Sequence, residues 1–379
     1  MGDVGAGEGV YRGKMALFER FPALAARLPH VALGQFPTPV ERLDALGASQ
    51  DMAGLYVKRD DVSGPVYGGN KIRKLEFLFG RALERRAKAV MTFGCAGSNH
   101  ALATAVYARS LGLRSISILI PQTNAAYVRR NLLFGHHVGA ELRHFSGPRN
   151  ASVGSMLEIA RSLLTSGRRP FIIPMGGSSP LGTVGFVGAG LELAGQVAEG
   201  VLPAPDALYV AMGTMGTAAG IALGLRAAGL DTRVVPVRVV PTFVAHAGAF
   251  VKLFRKTNAL LRNLDPTFPD CAIAEDEVGM RDEFFGEGYA RFTEVGMAAV
   301  RRARAAGIHL EGTYTGKTFA ALLRDAESGA LRGKNVVFWN TSNSRDFSAA
   351  IEGIDYHDLP AGLHPYFEKP CQPLDAADS

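Results

Sequence analysis

The sequence predicts an α/β protein built on mostly parallel sheets, and three observations carry that expectation. Short apolar runs alternate with helix-length amphipathic ones from Leu55 onward, the βαβα order that gives a parallel sheet with helices on both faces. The 379-residue length exceeds what one core usually fills, which favours two domains around a shared cleft. The composition, 47% hydrophobic and 20% charged, is that of a globular chain able to bury a large core.

Taken in order, the first expected strand is "LYVK" at 55–58, followed by a helix over 70–87. "AVMTF" from Ala89 precedes a helix over 99–111, and "SISILI" from Ser115 precedes one over 127–134. The pattern then recurs: "FIIP" from Phe171, a Gly/Ser loop and a helix over about 185–197; "ALYVAM" from Ala207, "GTMGT" and a helix over about 218–228. "VVPVRVV" and "NVVFW" supply later strands, and the ends, 1–14 and 371–379, read as poorly ordered termini.

The net charge of +6 and pI near 9.3 come from scattered arginines such as Arg81, Arg85 and the "RRAR" run from Arg301. Without aromatic interleaving or a nucleic-acid motif these are solvated helix faces, so no nucleic-acid partner is expected, although anionic ligands are favoured. Cys95, Cys271 and Cys371 are too widely spaced for a metal knuckle or a disulfide framework. That predicts a reducing, cytoplasmic setting and no metal. The start, "MGDVGAGEGVYRGK", has no apolar leader, and no window reaches about eighteen uninterrupted apolar residues, so neither export nor a membrane partner is expected.

Ligands of such sheets collect in the loops after the strands. Four of these are rich in Gly, Ser, Thr and Asn: "GCAGSNH" from Gly94, "MGGSSPLG" from Met175, "MGTMGT" from Met212 and "NTSNS" from Asn340. In "MGTMGTAAG" the glycines permit close approach and the following helix start offers N–H groups to a phosphate. Other patterns fail. "GTYTGKT" from Gly312 is one residue short of a nucleotide-triphosphate loop, "GTVGFVG" from Gly182 breaks the dinucleotide fingerprint, and His136 and His137 lack a third ligand at metal spacing.

In "YGGNKIRKLEF", from Tyr67 to Phe77, Lys71 and Lys74 lie one helical turn apart just after a glycine pair. A phosphate-cradling loop, a lysine at a helix start and a second cation are the parts needed to hold pyridoxal phosphate, its aldehyde bonded to the first lysine. The second ammonium would help to bind phosphate, and its charge would favour the neutral, nucleophilic form of the first.

The segments "FPTPVERL", "VKRDDVSGPVYGGNKIRKLEFL", "GSNH", "IPMGGSSPLGTVGFV", "MGTMGTAAG" and "YTGK" resemble the D-cysteine desulfhydrase and 1-aminocyclopropane-1-carboxylate deaminase family. That family has the tryptophan-synthase-β-like fold (fold type II) of pyridoxal-phosphate enzymes, and the likeness runs over about 36–343. The resemblance implies a larger domain from 1–72 and 183–379, with a smaller α/β domain inserted at 73–182. It implies Lys71 as the Schiff-base lysine, Lys74 as a phosphate partner and the loop Gly213, Thr214, Met215, Gly216 and Thr217 as the phosphate cradle. Asn99 would meet the pyridine 3-oxygen, while Ser98 and His100 would lie by the substrate carboxylate. Tyr289 and Tyr314 would stand beside the reacting carbon, and Thr341 and Ser342 on the substrate side. A cytoplasmic homodimer acting on a small amino acid is the corresponding expectation.

Within the family, the deaminase branch places a glutamate after the tyrosine of "YxGK", whereas this chain has Thr315. By that resemblance Thr315 meets the pyridine nitrogen and leaves the ring neutral, which suits α,β-elimination as in the desulfhydrases. The family's "YG-hydrophobic-PN" and "HTGG" appear as "YARF" (from Tyr289) and "NTSN" (from Asn340), so substrate identity stays open. The alternatives are ring-opening deamination, racemisation and a non-enzymatic pyridoxal-phosphate carrier.

Overall fold

A computed structural model describes residues 15–48 and 50–378. Among the described residues nine strands form two sheets. The larger has the order β1-β2-β9-β7-β8, from β1 (Val40–Arg42), β2 (Gly54–Lys58), β7 (Ala207–Met212), β8 (Arg233–Arg238) and β9 (Asn335–Trp339). All its pairings are parallel except β1 with β2. The smaller, β5-β4-β3-β6, is parallel throughout and is made of β3 (Ala89–Cys95), β4 (Arg114–Ile120), β5 (Glu141–His144) and β6 (Phe171–Ile173).

The predicted apolar runs become strands because both faces of the central ones are covered. Along β9, Val337 and Trp339 enter one core while Val336 and Phe338 enter the opposite one, and in β7 Leu208 and Val210 divide from Ala207 and Tyr209 in the same way. The strands β1 and β5 escape prediction because both are short and charged ("VER", "ELRH"), as sheet edges tend to be. The helices Pro148–Ser166 and Ala247–Leu264 are also additional to the expected set. The helix expected over 185–197 begins earlier, at Pro180, because proline at the first position and a Ser179 hydroxyl accepting from Gly182 N (3.1 Å) form a favourable start. Residues 1–14 and 379 of the expected loose termini lie outside the described residues. The described C-terminal stretch is tied down instead, with Gln372 N bonded to Asn124 O (3.0 Å) and the Asp375 carboxylate accepting from Ala126 N.

Two features position the site. The helices Pro180–Ala198 and Gly216–Ala228 meet along a glycine seam, where a Cβ on Gly190, Gly220 or Gly224 would press into the other helix. Gly185 faces the Arg73 carbonyl just as closely, so the Lys71–Glu84 helix joins the same stack. Pro180–Ala198 is the one described helix whose length and composition could cross a membrane, and its Val184, Phe186, Val187 and Leu193 are buried in the core.

Beneath the Lys71–Glu84 helix lies a buried ionic network. Arg73 binds Asp60 (2.8 Å) and Glu192 (2.9 Å), and Lys58 Nζ donates to Glu192 (2.6 Å), Gln196 Oε1 (2.7 Å) and Thr38 O (2.7 Å). Burial alone would raise the Glu192 pKa, but Arg73 and Lys58 hold it down at about 2.

Candidate active site

Lys71 and Lys74 occupy the first turn of the Lys71–Glu84 helix, entered through Gly69 at φ 89°. Glycine is required there, because a side chain would be strained at that φ and its Cβ would lie 2.9 Å from the Thr341 carbonyl. Asn70 fixes the lysine tip: its Oδ1 accepts from Lys71 Nζ (2.7 Å) while its Nδ2 donates to Thr217 Oγ1 (3.0 Å). Burial lowers the Lys71 pKa to about 8, and the Glu311 carboxylate pulls the other way. The sequence assigned that depression to Lys74. The structure assigns it to burial, and it is Lys74 that the charge of Lys71, after burial, pushes down.

Lys74 Nζ donates to Gly176 O and Ser178 Oγ, both at 3.1 Å, and forms no ion pair among the described residues. Around it the loop 213–217 opens from β7 into the Gly216–Ala228 helix, with Met215 turned to φ 65° at the helix start. Ser178 Oγ bridges Thr214 Oγ1 (2.8 Å) and Gly216 N (3.2 Å). A Cβ on Gly216 would come 2.6 Å from Ser178 Oγ, 3.0 Å from Thr183 Oγ1 and 3.1 Å from Lys74 Nζ, so these groups converge on one point. Thr183 Oγ1 is buried with no hydrogen-bond partner among the described residues. A buried amine with no carboxylate partner, an orphaned hydroxyl and the N–H groups of a helix start together fit a phosphate, whose charge would favour the protonated amine.

The opposite wall is the start of the Asn99–Ser110 helix. Ser98 caps it, its Oγ accepting from Ala101 N (3.2 Å). Asn99 Oδ1 accepts from Asn131 Nδ2 (2.7 Å) and Tyr67 Oη (3.2 Å). Because the same Asn131 nitrogen also donates to Gly97 O (2.9 Å), the Asn99 amide has a single assignment, with its Nδ2 left as a free donor. His100 is buried, and burial, then Lys71 and Lys74, push its pKa well below the usual imidazole value and keep the ring neutral.

Tyr289 and Tyr314 meet hydroxyl to hydroxyl at 2.6 Å, and burial raises both pKa values well above the usual phenol value, so both stay protonated. Thr315 does not follow its expectation. Its hydroxyl accepts from Glu311 N (2.9 Å), and the residue is buried at the start of the Thr315–Glu327 helix, off the cavity wall. The cavity, of about 430 Å³, is lined by Lys71, Lys74, Ser98, Asn99, His100, Gly213, Thr214, Met215, Thr217, Tyr289, Tyr314, Thr341 and Ser342. Of the expected site residues only Gly216 and Thr315 are missing from its wall. Asn343 spends its amide locally, on Gly68 N (2.6 Å) and on Arg345 N and O.

Sequence reasoning passed over Glu311, the one carboxylate on the cavity wall among the described residues. It accepts backbone N–H bonds from Thr313 (2.8 Å), Tyr314 (2.7 Å) and Thr315 (3.0 Å). Burial raises its pKa and those bonds oppose the rise. An acidic residue just ahead of a helix start was the signal that could have found it.

The family model for pyridoxal-phosphate dependent enzymes matches residues 31–342. The chain belongs to that family. Among curated relatives of this pyridoxal-phosphate enzyme is a protein of Pyrococcus horikoshii named "Putative 1-aminocyclopropane-1-carboxylate deaminase", 35% identical over 84% of this chain and 93% of its own. The nocardicin C-9' epimerase of Nocardia uniformis subsp. tsuyamanensis is 36% identical over 84% of this chain and 94% of its own. A crystal structure described as an ACC deaminase homologue superposes with a TM-score of 0.71 at 30% identity, covering 87% of this chain and 94% of that one. The chain is therefore a fold type II enzyme whose cofactor is pyridoxal phosphate.

Proposed function

We propose that this enzyme removes the α-proton of a small amino acid and expels its β-substituent, as D-cysteine desulfhydrases do, to give a 2-oxo acid and ammonia. Bound pyridoxal phosphate would supply an aldehyde that bonds the substrate amine and a ring that withdraws electrons from Cα. Lys71 is the residue to hold the aldehyde and then accept the α-proton, its amine neutral above about pH 8. Asn99 Nδ2 is a donor for the ring's 3-oxygen, and Lys74 with Thr183 and the 213–217 loop would hold the phosphate. The Cα–H bond breaks first. The Cβ–X bond then breaks with its electron pair leaving on X, and hydrolysis of 2-aminoacrylate releases ammonia.

The observation that carries this reading is the Tyr289–Tyr314 pair. Two buried phenols held in the protonated form are acids, able to give a proton to a departing substituent. A protonated phenol on the face of Cα opposite Lys71 could also return a proton there, so racemisation is a further reading, supported by the name of the 36% identical epimerase. Ring-opening deamination is the second reading, supported by the names of the Pyrococcus horikoshii relative and of the ACC deaminase homologue and by the Glu311 carboxylate. The proposal extends to a cytoplasmic homodimer. Three free cysteines support the location, and the apolar stripe Val153, Met156, Leu157 and Leu164, exposed on the Pro148–Ser166 helix, supports a twofold partner.

The test is to incubate the holoenzyme with D- and L-cysteine, D- and L-alanine and 1-aminocyclopropane-1-carboxylate, following 2-oxo acid, ammonia, sulfide and chirality. Pyruvate with sulfide supports elimination, and 2-oxobutyrate from the cyclopropane supports ring opening. Inversion of alanine without any 2-oxo acid would overturn the elimination reading in favour of racemisation.

A further inference from the structure

A second chamber of about 260 Å³ adjoins the cofactor cavity, and the two share Tyr67, Asn99, Glu311, Ser342 and Asn343 as wall. A group seated beside Asn99 therefore borders both. The outer wall of the second chamber carries Arg130, His309, Arg345 and Asp346.

Most charges here are already answered. Arg345 spends its guanidinium on Gly64 O (2.9 Å) and Val62 O (3.1 Å). Asp346 accepts from the Ser348 amide (2.9 Å) and hydroxyl (2.6 Å), and Glu311 accepts its three backbone N–H groups. His309 is kept neutral by burial, then by the charges of Arg130 and Arg304. Arg130 alone among the four outer-wall groups has a fixed charge with no hydrogen bond or ion pair among the described residues. Asp346 is held by Ser348 yet still feels the charge of Arg130, and Glu311 is turned to its backbone donors, so an incoming acid would meet a guanidinium that no hydrogen bond or ion pair among the described residues occupies.

We propose that the second chamber receives the substrate's side chain and that Arg130 binds an acidic group at its far end. The preferred substrates are then α-amino acids with a distal carboxylate, and in the elimination reading the acid departs with the β-substituent. This rests on an α-amino acid being the substrate, not on which bond breaks.

Equilibrium binding to the holoenzyme, read as perturbation of the cofactor's visible absorbance, tests it with both enantiomers of glutamate, glutamine, aspartate and asparagine. The acids should bind about tenfold or more tightly than their neutral amides, as a charge-assisted guanidinium–carboxylate pair gives. Arg130→Gln should cut that acid-to-amide ratio about tenfold and Arg130→Lys should restore part of it. Arg130 is exposed, so both variants should fold and load cofactor with an unaltered spectrum. Amides bound as tightly as acids, or a ratio unmoved by Arg130→Gln, would overturn this inference and leave the proposed function standing. If no amino acid perturbs the spectrum, both fall.

Discussion

Arg73 and Lys74 are neighbours on one helix turn, both buried, and their surroundings are opposite. Arg73 is saturated by two carboxylates, and Lys58 joins it on Glu192. Lys74 has a carbonyl and a hydroxyl but no carboxylate. Removing a cation from water costs several kcal/mol unless an anion answers it. The paired side is therefore architecture complete in itself, whereas the unpaired side is complete only when an anion arrives from solution. The difference separates a structural cation from a functional one more sharply than burial does, since both residues are buried alike.

The largest expected effect comes from breaking the paired side. Glu192→Ala leaves Arg73 and Lys58 short of a carboxylate in the interior and should destabilise the fold by about 3–5 kcal/mol in denaturant titration. A loss within about 1 kcal/mol would show that the network does not anchor the helix. Because Glu192 titrates at about 2 rather than 4.5, its contribution should be complete above pH 4.5 and disappear as the pH falls through 2. Lys74→Met should do the reverse. Apo-protein stability should hold or rise, since a buried amine with no carboxylate partner is gone, while cofactor affinity falls by roughly 1.5–3 kcal/mol in equilibrium dialysis. Unchanged affinity would place Lys74 away from the phosphate.

The next effect is one of pH. Attack on the aldehyde requires a neutral amine, so the rate of cofactor loading into apo-protein should rise through about pH 8 and level off. A rise centred near 10.5 would show that burial does not tune Lys71. The smallest effect belongs to Thr183→Val, which removes the orphaned hydroxyl. Cofactor affinity should fall by roughly 0.5–1.5 kcal/mol with no loss of apo stability. Destabilised apo-protein would mean that the hydroxyl already has a partner.

Legibility followed the same division. Lys71 and Lys74 stood out because glycines, helix start and spacing coincide in eleven residues, from Tyr67 to Phe77. The strands of both sheets were readable wherever both faces are covered, as in β7 and β9, and were lost at β1 and β5, where edge position permits charge. The partner of the Thr315 hydroxyl was not legible, because a residue's place after a tyrosine does not fix where its hydroxyl points; here it accepts from Glu311 N. Glu311 and Thr183 escaped because their significance lies in contacts across the chain that no local pattern encodes.

The glycine seam has a mechanical consequence. Helices that meet backbone against backbone have no side-chain layer to slide on or repack, so the Lys71–Glu84, Pro180–Ala198 and Gly216–Ala228 helices form an anvil that carries both the lysine and the phosphate cradle. Ser98 and Asn99 stand on the other wall, on a helix held by the smaller sheet. The Lys71–Glu84 helix also shares a hydrophobic core with the Asn99–Ser110 helix, through Ile72, Leu75 and Phe79 against Leu102, Val106 and Tyr107, so the reacting lysine is gripped from both walls at once.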